Sequence, residues 1–194
     1  MATKQVFATS YSGESAEWNN VGNIYANDTN LATTGGVLNS DVYFYAHFPS
    51  SDIPAGSVVT GVVIRIRFKV STTSSAHDLY SVLYCGATNL DPWKLDTSEP
   101  TTLTDVNMGS VSGVTLTQVN SSDMKAYIVV NRSSATACTY SIDSISMITT
   151  YETAGSAVKV NIGGVWKTGT VYVKIGGTWK AADSVKVNIG GTWK

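Results

Sequence analysis

A chain of 194 residues has room for one sizeable sandwich and a small appendix, but not for several large domains. Its net charge of −1, with 14% charged residues, excludes the basic footprint of a nucleic-acid binder. No apolar run reaches membrane-spanning length, so no membrane insertion is expected, and the abundance of Gly, Ser, Thr, Val and Tyr with few helical stripes points to an all-β chain.

The start, MATKQVFATS, carries no long apolar stretch, so no secretory signal is expected. Residues 4–10 read as a first short strand around Val6 and Phe7. Residues 12–39 form a long polar passage dotted with Asn and Gly and holding Trp18 and Tyr25. A loop of that length is usually functional or folded on its own side chains. Residues 42–48 read as a clean strand: Val42, Phe44, Ala46 and Phe48 share one face, and Tyr43, Tyr45 and His47 the other. After a turn at Pro54-Ala55-Gly56, residues 58–70 give the strongest strand. Val62, Ile64, Ile66, Phe68 and Val70 face a core, and Arg65, Arg67 and Lys69 face water. Residues 79–85 are a strand with bulky groups on both faces. A loop over residues 86–104 carries Trp93. Weaker strand signals follow at residues 106–111 and 114–116, then a capped turn at Asn120-Ser121-Ser122-Asp123. Two more strands cover residues 124–131 and 139–151, the second with its alternation broken near Asp143-Ser144, the mark of a bulge. Cys85 and Cys138 sit in strand-like runs and read as small core residues.

Residues 152–157 are small and polar, a natural linker. Beyond them one phrase appears three times: VKVNIGGVWK (158–167), VYVKIGGTWK (171–180) and VKVNIGGTWK (185–194). The Gly pairs begin at 163, 176 and 190, near-equal steps that mark a copied unit. Each unit reads as a hairpin around Gly-Gly. A two-residue turn pairs Asn161 with Trp166, whereas a three-residue turn would force Val165, Thr178 or Thr192 to positive φ, which β-branched residues resist. The two-residue turn is therefore expected. It puts Trp166, Trp179 and Trp193 on the mixed face, with Tyr172 and Lys174 beside the middle one. Hairpins this short need another surface. The Trp rings are expected either to bury against neighbouring hairpins or a second chain, or to stand as exposed platforms for sugars. The expected architecture is a jelly-roll-like β-sandwich over residues 1–151, a linker over 152–157 and three hairpin repeats over 158–194.

The order of four phrases resembles a β-sandwich domain of bacteriophage virion proteins. They are Ala26-Asn27-Asp28 through Leu31-Ala32-Thr33; Ile53-Pro54-Ala55-Gly56 followed by Val62-Val63-Ile64-Arg65-Ile66; Val119-Asn120-Ser121-Ser122-Asp123; and Tyr140-Ser141-Ile142-Asp143-Ser144-Ile145. The Gly-Gly-x-Trp-Lys tail is similar to short repeats that end many phage tail and surface proteins. The resemblance implies a tail, fibre or head-surface component, assembled in the host cytoplasm, with other virion proteins and copies of itself as partners. It carries over no catalytic residue.

The residues themselves spell no reaction. His47 and His77 have no recognisable nucleophile or ligand spacing beside them, and there is no nucleophile elbow, phosphate loop or zinc spacing. A non-enzymatic role in assembly, docking or display is expected, with a carbohydrate-binding module that engages the host surface as the alternative. For cofactors, the candidate is Ca²⁺ on Asn27, Asp28 and Asn30, hard oxygens in one loop. The competing reading is that such side chains bond their own backbone, and a single carboxylate holds Ca²⁺ poorly. For binding, the candidates are Tyr43, Tyr45 and His47 on one strand face, as a protein interface or a glycan surface, and Trp18 and Trp93 in loops as glycan platforms.

Overall fold

The computed structural model describes residues 1–35, 41–73, 77–132, 138–153, 157–162, 165–170, 172–181, 188–189 and 192–193. In chain order the strands are β1 (Ala2–Phe7), β2 (Ser10–Ser12), β3 (Trp18–Asn19), β4 (Ala32–Thr34), β5 (Val42–His47), β6 (Val58–Val70), β7 (His77–Cys85), β8 (Thr88–Asn89), β9 (Lys94–Asp96), β10 (Thr104–Val111), β11 (Met124–Arg132) and β12 (Tyr140–Glu152). The tail adds β13 (Ala157–Ile162), β14 (Val165–Thr170), β15 (Tyr172–Ile175), β16 (Thr178–Ala181), β17 (Asn188–Ile189) and β18 (Thr192–Trp193).

Two antiparallel sheets make the sandwich. The first runs β10-β6-β12, with β1 and then β4-β3 along the far side of β12. The second runs β2-β5-β11-β7, with β8 and β9 along the far side of β7. Reduced to the long strands, the orders are 1-12-6-10 and 5-11-7-9, and the chain crosses between sheets at nearly every connection, which is jelly-roll order. The alternation in the sequence sets the inner faces. Val42, Phe44 and Ala46 of β5, Ile64, Ile66 and Phe68 of β6, and Met124, Ala126, Ile128 and Val130 of β11 are all buried between the sheets. The expected bulge in β12 is present, as a register shift between Ile142 and Ser144.

Several short features differ from the sequence reading: β3 and β4 lie within residues 12–39, and β8 and β9 within residues 86–104, where loops are expected. Residues 114–116 are not a strand: Leu116–Val119 is a single helical turn (α1), closed by a capping box in which Thr115 and Gln118 satisfy each other's backbone. β7 begins at His77, ahead of the strand expected over residues 79–85. The tail hairpins keep the two-residue register: Asn161 opposite Trp166, Lys174 opposite Trp179, and Asn188 opposite Trp193. In the middle hairpin Gly176 and Gly177 both lie at positive φ, 57° and 84°, the backbone of a type I′ turn. Tyr172 is exposed. The expected burial of the Trp166, Trp179 and Trp193 rings falls on side chains outside the described residues.

Candidate functional site

The outward face of the second sheet gathers six aromatic rings: Tyr43, Tyr45, Tyr80, Tyr84, Tyr127 and Trp93. Because β5, β11 and β7 bury alternate residues, the intervening ones point to water. The register brings them into rows: Tyr43, Val129 and Tyr80; Tyr45, Tyr127 and Val82; His47, Lys125 and Tyr84. The rings touch across strands. Tyr45 and Tyr127 have centroids 4.7 Å apart, Tyr43 and Tyr127 5.5 Å, and Tyr45 and Tyr84 6.2 Å. Gly13, at φ +64°, lets the end of β2 pass over this layer, since a Cβ there would sit 3.3 Å from Tyr45 Cδ2.

Trp93 comes from the loop that leaves the edge of β7 at β8 and returns at β9. The loop is held by Leu90 N–H donating to Leu83 O at 2.9 Å and by a Lys94–Asp91 ion pair at 2.8 Å. Its indole stands edge-on to Tyr80, centroids 5.7 Å apart at 87°, and 5.8 Å from Tyr127. Val82 and Val129, though outward-facing, are only 1% and 4% exposed, because the rings close over them. Trp93 itself remains 54% exposed and Tyr43 38%. The result is a continuous aromatic layer with its upper surface in water.

Polar groups fringe the layer at both ends. At one end Asn131 Nδ2 donates to Asp41 Oδ2 at 3.2 Å, and Tyr80 Oη donates to Asp78 Oδ2 at 3.4 Å. At the other, Lys125 Nζ lies 4.9 Å over the Tyr45 ring, and Ser12 Oγ contacts His47 Nε2 at 2.7 Å. Burial, and then the Lys125 ammonium, hold the His47 imidazole below its usual range. Burial first, then neighbouring phenols, pushes the Tyr127 hydroxyl up, so that ring stays neutral. The depressed His47 value means that the unfolded chain binds more protons as pH falls through about 6.5, so stability falls with it. The unfolding midpoint of the wild type is expected to drop faster between about pH 7 and pH 5 than that of His47→Gln. Equal slopes would show that His47 does not carry this linkage.

The other candidates fall elsewhere. Trp18 is not a loop platform: β3 folds it into the sandwich at 6% exposure, edge-on to Phe44 at 5.0 Å, where no sugar can reach its face. In the Asn27–Asn30 loop, Asp28 turns its carboxylate inward on its own turn, accepting from Asn30 N–H at 3.0 Å and Asn30 Nδ2 at 2.8 Å. The loop is tied to the first sheet by Thr29 N–H, which donates to Asp143 Oδ1 at 2.7 Å. Both Asp28 oxygens thus have partners, and among the described residues no three His, Cys, Asp or Glu side chains converge to hold a metal. Sequence reasoning overlooked Tyr127, Tyr80, Tyr84, Lys125 and Asp41 as site residues. The signal was the alternation of residues 124–131, apolar inward and Lys-Tyr-Val-Asn outward.

Fold and site together define a jelly-roll sandwich with one exposed aromatic sheet face. No family model matches the chain, and no curated protein matches it. Solved structures to which the chain is similar include three carbohydrate-related proteins. The C-terminal CBM6 of LamC, a laminarinase of the marine Zobellia galactanivorans, is 15% identical, with 77% of this chain and 100% of that one covered and a TM-score of 0.43. The xylan-binding module CBM15 is 17% identical, with 78% and 93% covered and a TM-score of 0.40. The arabinose-bound α-L-arabinofuranosidase MgGH51 is 12% identical, with 75% and 26% covered and a TM-score of 0.44. At such scores the fold assignment rests on the strand order, not on the likeness.

Proposed function

We propose that the sandwich is a non-enzymatic carbohydrate-binding module whose ligand lies along the aromatic face of β5, β11 and β7. The repeat tail then docks it to a larger assembly. On the sequence resemblance, we take that assembly to be a bacteriophage particle, on which the module would engage a host-surface glycan. The observation that carries the reading is the ring layer itself. Its exposed rings offer the aromatic faces on which the C–H face of a pyranose stacks, and polar side chains stand at its edges: Asp41 and Asn131 at one end, Ser12 and His47 at the other.

A protein partner would also cover aromatic rings, and area separates the two uses. Lys125 and Asn131, at the two ends of the β11 row, are about 20 Å apart, and three strands are about 10 Å across, giving a face of about 200 Å². A stable protein interface covers about 800 Å² on each partner. The face matches a short oligosaccharide in extent and falls well short of a protein footprint.

The test is calorimetric titration of the full chain with a panel of soluble oligosaccharides, repeated on Tyr45→Ala and Trp93→Ala. Removing an anchoring ring typically costs about 2 kcal/mol, so each variant is expected to bind about thirtyfold more weakly while its circular dichroism is unchanged. If no glycan binds, and sedimentation shows a self-associated wild type that Tyr45→Ala dissociates, the face is a protein interface.

A further inference from the structure

We infer, resting on the reading just given, that the glycan carries an oxyanion (carboxylate, sulfate or phosphate) and that this group lands on Lys125, at the end of the aromatic face away from Asn131. The strand register builds that end as one row across five strands. Ser10 of β2 lies opposite His47 of β5, His47 opposite Lys125 of β11, Lys125 opposite Tyr84 of β7, and Tyr84 opposite Asn89 of β8. Neighbouring strands are about 4.8 Å apart, so Lys125 has an imidazole on one side and a phenol on the other. Hydroxyl, imidazole, ammonium, phenol and amide make up the row, and none of these groups carries a negative charge at neutral pH.

The row is built to donate. Lys125 has three donors and no acceptor. Its Nζ lies 4.9 Å from the centre of the Tyr45 ring, which holds a long side chain in place ahead of any ligand and lowers the ordering cost of binding. Among the described residues no carboxylate lies within ion-pair distance of Lys125; Asp123, two residues before it, sits exposed in the turn that leads into β11. Ser12 Oγ and His47 Nε2 share one hydrogen bond at 2.7 Å. Whichever of them donates, the pair keeps a donor: the Nδ1 proton in one tautomer, the Ser12 hydroxyl proton in the other. Asn89 Oδ1 is taken by the Asp91 N–H at 2.9 Å, which leaves the amide its NH2. A neutral sugar hydroxyl uses such donors one at a time. A carboxylate, sulfate or phosphate brings several acceptor oxygens, and hydrogen bonds to a charged acceptor are about twice as strong as neutral ones. Elsewhere on the face the charges do not call for an anion. Lys94, beside Trp93, is held by Asp91 at 2.8 Å. Asp78 stands opposite Asn131 at the far end, about 20 Å along β11 and more than two screening lengths of about 8 Å from Lys125. A chain lying across the rings is therefore oriented, with its charged sugar at Lys125.

The test titrates the full chain calorimetrically with oligosaccharides matched in linkage and length, each offered with its C6 position as hydroxyl, carboxylate or sulfate. The wild type is expected to bind one of the charged forms about tenfold or more tighter than the neutral form, and the form preferred identifies the source of the oxyanion. That advantage is expected to shrink between about 0.1 M and 1 M salt, as the screening length falls from about 10 Å to about 3 Å. Lys125→Met, which keeps an apolar stem over Tyr45, is expected to cut the advantage to about threefold or less by weakening the charged form, with circular dichroism unchanged. Trp93→Ala is expected to weaken all forms alike. Trp93-dependent binding in which the neutral form matches or exceeds both charged forms overturns the oxyanion site and leaves the carbohydrate-binding reading standing. A charged advantage that either salt or Lys125→Met leaves intact does the same. If no form binds, both readings fall.

Discussion

Phe68→Ala is expected to lower the unfolding free energy by about 3–5 kcal/mol, the range for truncating a fully buried Phe. Phe68 is 0% exposed and lies in β6, the strand that pairs with β10 on one side and β12 on the other. Its ring stacks on that of Tyr140, centroids 6.0 Å apart at 11°. The cavity left by truncation would therefore open against the Tyr140 ring, among the buried residues between the sheets. Denaturant titration reads the effect directly. A midpoint matching the wild type would mean that the β6 register is shifted by one residue, because a one-residue slip exchanges Phe68 with Arg67 or Lys69. Glycan binding by the folded fraction is expected to survive, since the aromatic face belongs to the other sheet.

Much of this architecture was legible in the residues because one-sided burial writes a period of two. Residues 42–48 and 58–70 announced both their faces, and the break at Asp143-Ser144 announced a bulge. The tail register was legible for a different reason: β-branched residues after each Gly-Gly exclude the longer turn. The site was only half legible. Tyr43, Tyr45, His47 and Trp93 were identified, but their neighbours Tyr127, Tyr80 and Tyr84 were not. Each of those strands has bulky groups on both faces or aromatics that suit a core, and only the pairing of three strands distant in sequence shows which side is wet. Trp18 failed in the opposite sense. Its polar surroundings suggested a loop, yet a two-residue strand paired to β4 is enough to turn the indole onto Phe44. The helical turn at Leu116–Val119 was spelled by Thr115 and Gln118 at capping-box spacing, a signal masked by the alternation of Val114 and Leu116.

The two faces of the sandwich divide the work through their side chains. The second sheet leaves its rings in water and spends its few charges at the margins. The first sheet puts Arg65, Arg67 and Lys69 outward and ties the two arginines to its own neighbours, with Arg65 Nε donating to Asn107 Oδ1 at 2.9 Å and Arg67 shared between two carboxylates. It also anchors the passage over residues 12–35, whose short strands close the sandwich beside Phe44. Within this passage Asn23 Nδ2 donates to Leu31 O at 3.1 Å and Asp28 and Asn30 bond each other, so its described part acts as a structural cover.

Arg67→Met is expected to cost about 3 kcal/mol, the low end for breaking a buried ion pair by removing one partner. Asp143 is 0% exposed, and its Oδ2 lies 3.1 Å from Arg67 Nε, an ion-pair contact outside ideal hydrogen-bond angles. The second contact of Arg67, to Asp105 at 3.6 Å, joins side chains 28% and 45% exposed and is worth at most about 1 kcal/mol. The cost therefore comes from stranding the Asp143 carboxylate, tempered by the water that already reaches Arg67. Asp143 also accepts from Thr29 N–H at 2.7 Å, and Thr29 sits at φ 68°, a backbone that a β-branched residue adopts only when held there. Loss of Arg67 is thus expected to speed hydrogen exchange at the Thr29 amide more than at the core of β12. Adding Asp143→Asn to Arg67→Met removes the stranded charge and should recover most of the stability, which separates charge from packing in a double-mutant cycle. If Arg67→Met alone leaves both the midpoint and the Thr29 protection unchanged, the pair does not hold the loop, and the left-handed Thr29 must be fixed by the Asp28–Asn30 turn.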